Sequence, residues 1–296
     1  MHRRTVPCQG YFAPQQIEEA LEILTECGKK IKVIAGGTDL LIQYYDRLYE
    51  INNWLDLKNI KELKEVKINK NQMIIGAMIT HTQLEKSEDI KKHFPVLSQA
   101  AADIGSPQIR NRGIIGGNIV NASPAGDLLA PLMAYDAQFK LLSTQGEVIV
   151  PAEEFFIGPK KTILEPAQLL AGIILPLPSE RTFGCWIKIG KRKALIIATI
   201  TLALVVEMAE DNKAVKEART CLGSVAPTPI EIKEIREKMI GKKFNELDFN
   251  QLGQIVEDKI SPIDDIRGTR EYRKDVAKNI MINALEKIGS AWRSHK

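Results

Sequence analysis

Two glycine pairs offer the clearest chemistry in this 296-residue chain. They are Gly36-Gly37, within Ile34-Ala35-Gly36-Gly37-Thr38-Asp39, and Gly116-Gly117, within Ile114-Ile115-Gly116-Gly117-Asn118. Each follows apolar, mostly β-branched residues and leads into a small polar side chain. Glycine tolerates positive φ, so a strand ending in Gly-Gly can turn sharply. It also leaves backbone N–H groups with no Cβ in front of them, and successive bare N–H groups form concave anion sites. One such turn would hold one phosphate. Two of them, 80 positions apart, can grip a diphosphate from both sides. Thr38 and Asn118 stand where they can add hydrogen bonds. The plain alternative for either pair alone is a tight turn without a ligand.

Other candidate groups are fewer. Asp127 closes the polar run Val120-Asn121-Ala122-Ser123-Pro124-Ala125-Gly126-Asp127. A carboxylate there can accept hydrogen bonds from ligand hydroxyls, or cap a helix starting at Leu128. Arg110 and Arg112 stand just before the second glycine pair. Arg110 would offset ligand charge, meet a partner, or lie solvated. Lys188-Ile189-Gly190-Lys191-Arg192-Lys193 is a basic run leading into an apolar segment, and its plain reading is a solvated face. His81 and His93 lack metal-ligand spacing and read as surface or capping histidines. No Ser-His-Asp or Cys-His arrangement stands out.

Composition narrows the classes. Hydrophobic residues make up 44% and charged residues 26%, ordinary values for a globular protein. The net charge of +4 comes from lysines and arginines scattered among 37 acids, which does not support nucleic-acid binding. Cys8, Cys27, Cys185 and Cys221 are 19, 158 and 36 positions apart, so no metal-binding pair exists and buried free thiols are expected. The longest apolar segment, Ala194 to Val206, has 13 residues. That is too short to span a bilayer and suits a buried strand. Met1 to Pro7 lacks the apolar stretch of a signal peptide, so a cytoplasmic protein is expected. None of the 20 glycines forms G-x-G, which removes the Rossmann fingerprint and the P-loop. A bound dinucleotide would need another fold.

The elements that must position these groups fall into three stretches, 1–57, 58–178 and 179–296. In the first, Pro14 opens a helix with Ile17, Ala20, Leu21 and Leu24 on one face. Strands are expected at Ile31–Ala35 and Trp54–Leu57. In the second, Met73–Ile75 reads as a strand and Thr80 with Gln83 fits a capping box. Helices are expected at Pro95–Ile104 and Leu128–Tyr135. Strands at Phe139–Leu142 and Val148–Val150 flank the Gln145-Gly146 turn. The third begins after Pro176-Leu177-Pro178. It carries strands at Cys185–Ile189, Leu195–Glu207 and Arg219–Val225, then helices. Thr269 would cap the last helix, with Tyr272, Val276 and Ile280 on one stripe. Strands followed by helices suggest an α+β domain.

In these residues the chain resembles the FAD-binding medium subunit of molybdenum hydroxylases, the xanthine dehydrogenase and carbon monoxide dehydrogenase flavoprotein family. The blocks are Ala35-Gly36-Gly37-Thr38-Asp39-Leu40, Gln108-Ile109-Arg110-Asn111, Ile115-Gly116-Gly117-Asn118, Ala122 to Leu128, and Ser261 to Thr269 with Tyr272-Arg273. The resemblance implies an α+β fold: a vanillyl-alcohol-oxidase/PCMH-type FAD-binding domain of two α/β subdomains, then a CO-dehydrogenase-flavoprotein-like C-terminal domain. It also implies cofactor-binding residues. Val33, Ile34, Ala35, Gly36, Gly37, Thr38, Asp39 and Leu40 would hold the FAD pyrophosphate with Ile114, Ile115, Gly116, Gly117 and Asn118. Asp127 would bind the ribityl or adjacent hydroxyls. Ile104 and Leu170 would pack near the flavin or adenine. Lys188 matches a lysine of the family's K-x-x-x-R block, where it would favour the anionic reduced flavin. The chain departs where relatives have Arg-Arg followed by Asp-Ile-Ala. It has Arg192-Lys193 and Ile196-Ile197-Ala198 instead. No cysteine-rich insertion offers an extra cluster.

The implied function is electron transfer. Electrons would pass from [2Fe-2S] clusters of a small partner subunit through FAD to NAD+ or another acceptor. A molybdopterin-binding large subunit would carry the hydroxylation, and no residue of this chain would act as a catalytic acid or base. The alternative is a self-contained FAD oxidoreductase of the same fold acting on its own small substrate.

Overall fold

The computed structural model describes residues 10–48, 52–192, 196–210 and 213–294. Cys8, Lys193, Ala194 and the Leu195 start of the expected third-stretch strand lie outside the described residues, as does the Met1–Pro7 segment.

The chain opens with β1 (Gly10–Phe12), α1 (Ile17–Cys27), β2 (Lys32–Ile34), α2 (Leu40–Tyr45) and β3 (Asn53–Asp56). Its three strands form a parallel sheet in the order β1-β3-β2. Parallel strands need crossover connections, and the α1 crossover buries Ala20, Leu21 and Leu24 as the apolar spacing requires. The turn carrying Gly36 and Gly37 leaves the carboxyl end of β2.

The next strands are β4 (Val66–Ile68) and β5 (Gln72–Gly76). Six helices follow: α3 (His81–Lys86), α4 (Glu88–His93), α5 (Pro95–Ala102), α6 (Pro107–Arg112), α7 (Ile115–Asn121) and α8 (Leu129–Ala134). The chain then returns through β6 (Gln138–Ser143), β7 (Gly146–Pro151), α9 (Ala152–Phe155), β8 (Phe156–Gly158), β9 (Lys161–Thr162) and β10 (Leu169–Pro176). An antiparallel sheet runs β4-β5-β10-β6-β7. The Thr80 box forms as expected: Gln83 N–H donates to Thr80 Oγ1 at 3.2 Å, and Thr80 N–H donates to Gln83 Oε1 at 2.9 Å.

The last part holds β11 (Thr182–Ile189), β12 (Ile200–Met208), β13 (Val215–Gly223), β14 (Ile230–Glu231), α10 (Lys233–Met239), α11 (Phe249–Lys259) and α12 (Arg270–Ser294). Its four strands form one antiparallel sheet in chain order, and α12 lies on β11 and β12. Apolar side chains join the parts. Met78, Leu169 and Ala171 complete the core beneath the parallel sheet, while Trp186, Ala203, Val205 and Cys221 enter the core of the second sheet. No helix among the described residues is long and apolar enough to cross a membrane.

Several local expectations are corrected. The second glycine pair is not a turn. Ile114 bridges Thr80, and Gly116 and Gly117 then form the first turn of α7 without positive φ. His81 is buried at 4% exposure, at the start of α3 against Gly113. Cys185 and Cys221 are free and buried, but Cys27 is disulfide-bonded. The buried stripe of α12 runs through Arg273, Ala277, Ile280 and Met281, leaving Tyr272 exposed. A carboxylate and a carbonyl draw Arg273 inward, which rotates the expected face. Thr269 caps this helix as expected, accepting from Tyr272 N–H at 3.2 Å.

Candidate functional site

The two glycine segments meet. Gly36 packs so closely on the segment entering α7 that an added Cβ would lie 2.2 Å from the Arg112 carbonyl oxygen and 3.1 Å from Gly113 Cα. Any larger residue would push them apart. Asn121, at the far end of α7, donates from Nδ2 to Asp39 Oδ2 at 3.1 Å. The β2–α2 turn is therefore held against both ends of α7.

The backbone donors differ between the two segments. Gly37 has φ +73, and its carbonyl accepts from Leu41 N–H at 3.1 Å. Among the described residues no acceptor meets the N–H of Gly36, Gly37 or Thr38. This half-buried turn presents the bare donors that the sequence suggested. The α7 segment does so less. Gly116 N–H donates to Ala77 O at 2.9 Å, Ile115 N–H to Ile79 O at 2.9 Å and Asn118 N–H to Ile114 O at 3.1 Å. Gly116 is glycine because a Cβ would stand 2.7 Å from Ala77 O. In this segment Gly117 is exposed, its N–H meets no acceptor among the described residues, and an added Cβ would meet nothing closer than Ile114 Cγ1 at 3.3 Å. Val33 and Asp39 are exposed, and Ile34, Ala35 and Leu40 are half-buried, so all eight turn residues are reachable from outside.

Asp127 and Lys188 are joined deep in the protein. Lys188 Nζ donates to Asp127 Oδ2 at 2.6 Å and to the Asp103 carbonyl at 2.9 Å. Their side chains are only 4% and 9% exposed, for Lys188 and Asp127 respectively. Burial pushes the Asp127 carboxyl up to about 6, against the opposing pull of Lys188. Lys188 is thus no part of a solvated charge run. Asp127 does not cap a helix either: α8 begins at Leu129, and no side chain caps it. Trp186 Nε1 donates to Asp103 Oδ2 at 2.8 Å, which fixes the end of α5 beside Lys188. Lys188, Asp103, Gly105, Ser106, Arg110 and Gly190 line an open cleft of about 900 Å³.

Two buried oxygens on this stretch have no partner, Asp127 Oδ1 and Asn118 Oδ1. Buried acceptors are normally satisfied, so each points to a missing donor. Ile104 and Leu170, at 8% and 3% exposure, are core residues of one cluster with Ile115 and Ile119 of α7. Arg110 is held by Glu85, from Nε to Oε2 at 2.8 Å, and donates from Nη1 to Ile104 O at 3.1 Å. Its role is to brace the turn after α5 rather than to float in solvent. Sequence reasoning missed Asp103 and Trp186, which contribute a backbone carbonyl and a bracing bond.

A bare-donor turn, two orphaned acceptors and an adjoining cleft fit a dinucleotide with a pyrophosphate and free hydroxyls. Comparison with known proteins agrees. The family model for the FAD binding domain in molybdopterin dehydrogenase matches residues 6–178, and that for the CO dehydrogenase flavoprotein C-terminal domain matches residues 186–288. The chain is 32% identical to the carbon monoxide dehydrogenase medium chain of Hydrogenophaga pseudoflava, over 95% of this chain and 96% of the relative. It is 29% identical to the xanthine dehydrogenase FAD-binding subunit of Escherichia coli O157:H7, over 95% and 97% of the two chains. The crystal structure of the Hydrogenophaga pseudoflava enzyme lacking its Mo-pyranopterin moiety superposes with a TM-score of 0.90, at 30% identity, covering 96% of this chain and 98% of that one. The chain therefore belongs to the family of FAD-binding medium subunits of molybdopterin dehydrogenases.

Proposed function

We propose that this chain holds FAD between the β2–α2 turn and α7, and relays electrons from a partner subunit's [2Fe-2S] clusters to NAD+ or another acceptor. A molybdopterin-binding large subunit completes the complex, in the cytoplasm. The observation that carries the site assignment is the seating of Gly36 on the Arg112-Gly113 backbone, which brings two distant glycine segments to one place. The three-part division at 57 and 178 accompanies this reading, with the cofactor lying across the first two parts.

When bound, FAD supplies the one- and two-electron chemistry. The chain's residues bind and orient. N–H groups of Gly36, Gly37 and Thr38 would hold the pyrophosphate, joined by the exposed Gly117. Val33, Ile34, Ala35, Asp39 and Leu40 shape the turn, while Ile114, Ile115 and Gly116 fix α7 beneath it. Asn118 Oδ1 and Asp127 Oδ1 accept from hydroxyls of the ligand. Lys188 keeps Asp127 ionised and aimed, and Ile104 and Leu170 support the apolar side. Because Lys188 is already paired, its positive charge reaches the flavin largely cancelled. Substrate choice belongs elsewhere in the complex: relatives named for carbon monoxide, nicotinate and xanthine each match 94–95% of this chain.

The test is flavin content. Gly36→Val is expected to purify folded but without the flavin absorbance of the parent chain. A Gly36→Val protein with full flavin and unchanged dissociation constant would refute the assignment.

A further inference from the structure

Arg273 lies on α12, more than 140 positions beyond Asp127 and in a different sheet-and-helix layer. It is 1% exposed, the largest fully buried side chain among the described residues. A buried cation needs a charge partner, and Arg273 has one through its two terminal nitrogens while its Nε meets no acceptor among the described residues. Nη2 donates to Asp265 Oδ1 at 2.6 Å, and Nη1 donates to the Ser224 carbonyl at 2.6 Å. Asp265 is shared. Arg267 donates from Nη2 and Nε to Asp265 Oδ2 at 2.5 and 2.9 Å, and from its backbone N–H to Oδ1 at 2.8 Å. These bonds, Arg267 foremost, hold the Asp265 carboxyl far below the usual carboxylate range.

Ser224 is the unusual receiver. It is a non-glycine residue at φ +63, so its backbone persists only where the surroundings hold it. Its remaining polar groups reach the loop that carries Asp127 and the segment that follows Ile196. Its N–H donates to Pro124 O at 2.8 Å, three residues before Asp127. Its hydroxyl donates to Ala198 O at 3.2 Å, and Arg267 Nη1 reaches the same oxygen at 3.3 Å. Ala198 follows Ile196, which lines the cleft. Within the loop, Gly126 N–H donates to Ser123 O at 2.8 Å, so a pull at Pro124 is passed to Asp127 through a closed turn.

We propose that Arg273 is a positioning residue of the flavin site: with Asp265, it pins Ser224, and Ser224 pins both the Pro124–Asp127 loop and the Ile196–Ala198 lip of the cleft. The C-terminal layer thereby sets the aim of Asp127 without touching the cofactor. This rests on the FAD assignment made above.

The test uses the full chain and FAD itself, titrated by fluorescence in the cold, with far-UV circular dichroism confirming that each variant is folded. The variants are Arg273→Met, Arg273→Lys, Asp265→Asn, Gly36→Val and Leu252→Ala. Leu252 sits in the same C-terminal core on α11, 2% exposed, and makes none of these bonds. Misplacing an oriented group by a fraction of an ångström is costly, so Arg273→Met is expected to weaken FAD about tenfold and to change the visible circular dichroism of bound flavin. Arg273→Lys keeps the charge and one bond, and should fall between Met and the parent. Leu252→Ala should lower the melting temperature yet bind FAD as the parent does. Equal weakening by Arg273→Met and a melting-matched Leu252→Ala would overturn the proposal, as would parental affinity in Arg273→Met. Should Arg273→Met not fold, Asp265→Asn decides, and parental affinity and dichroism there overturn it. Loss of FAD in Gly36→Val with none in Arg273→Met defeats the positioning role alone. Parental binding in Gly36→Val defeats the site assignment instead.

Discussion

Asp127 and Lys188 form the most consequential pair of residues. An ion pair this deep is held by mutual charge, and removing one member leaves the other without compensation. Asp127→Ala should therefore destabilise the flavin-free chain by about 3 kcal/mol, since the Lys188 ammonium is left with the Asp103 carbonyl only. The double variant Asp127→Ala with Lys188→Met should be less destabilised than Asp127→Ala alone, read from urea midpoints. A double variant as unstable as the sum of the singles would show that the two do not stabilise one another. Titration separates Asp127 from His81. Burial raises Asp127 from its ordinary 3.8 to about 6, so the folded chain binds more protons there than the unfolded chain. Its contribution to stability falls as pH rises from about 4 to about 6. Burial, then the charge of Arg110, lowers His81 from 6.5 to about 4. The unfolded chain binds more protons there, so that contribution is whole above 6.5 and is lost as pH falls toward 4. Relative to the parent, melting midpoints of His81→Gln should gain toward acid pH, and those of Asp127→Asn should gain toward pH 6.5. Parallel trends in the two variants would contradict these assignments.

At the scale of elements, two adjacent glycines in α7 do different work. A Cβ added to Gly116 would stand 2.7 Å from the Ala77 carbonyl oxygen, whereas one added to the exposed Gly117 would meet nothing closer than Ile114 Cγ1 at 3.3 Å. Gly116→Ala is expected to cost about 1–3 kcal/mol through overpacking. Gly117→Ala should be neutral or stabilising by up to about 1 kcal/mol, because alanine favours helix. Thermal unfolding of the two flavin-free variants checks the contrast, and flavin titration should show Gly117→Ala weakened despite its stability. The α3 cap is simpler. Thr80→Ala removes the acceptor for Gln83 N–H and should cost about 1 kcal/mol in the same assay.

Across the whole molecule, the C-terminal layer is fastened to the cofactor domain by apolar packing and by charge. Arg219 of β13 bridges Asp136 and Glu231, each at 3.0 Å, and Lys233 reaches Glu153 at 3.1 Å. Glu231 is 4% exposed at its side chain and keeps one oxygen unpartnered. Arg219→Ala would leave that carboxylate buried without its cation, so a loss of about 2 kcal/mol or more is expected from the urea midpoint. Lys233→Ala, which breaks a more exposed pair, should change it by under about 1 kcal/mol. Similar losses from both would mean that burial does not separate the two bridges.

Much was legible before any fold. Period and capping chemistry placed α1, the Thr80 box, the β6–β7 hairpin and the Thr269 cap, because these depend on neighbours within a few positions. The paired glycines and Asp127 offered phosphate and hydroxyl chemistry by residue type, with plain turns and a helix cap as alternatives, and the family resemblance selected the ligand reading. Residue type could not say that Gly116 serves Ala77 rather than a ligand, since that depends on the turn after β5, nearly 40 positions earlier. Nor could it say that Lys188 would cross to Asp127, that His81 would be buried, or that Arg273 would turn inward to Ser224. The sequence by itself determined which groups could meet an anionic dinucleotide and what local shapes would carry them. Only the tertiary structure decided which donors stayed free and which charges cancelled, because those outcomes rest on contacts between segments that no local pattern encodes.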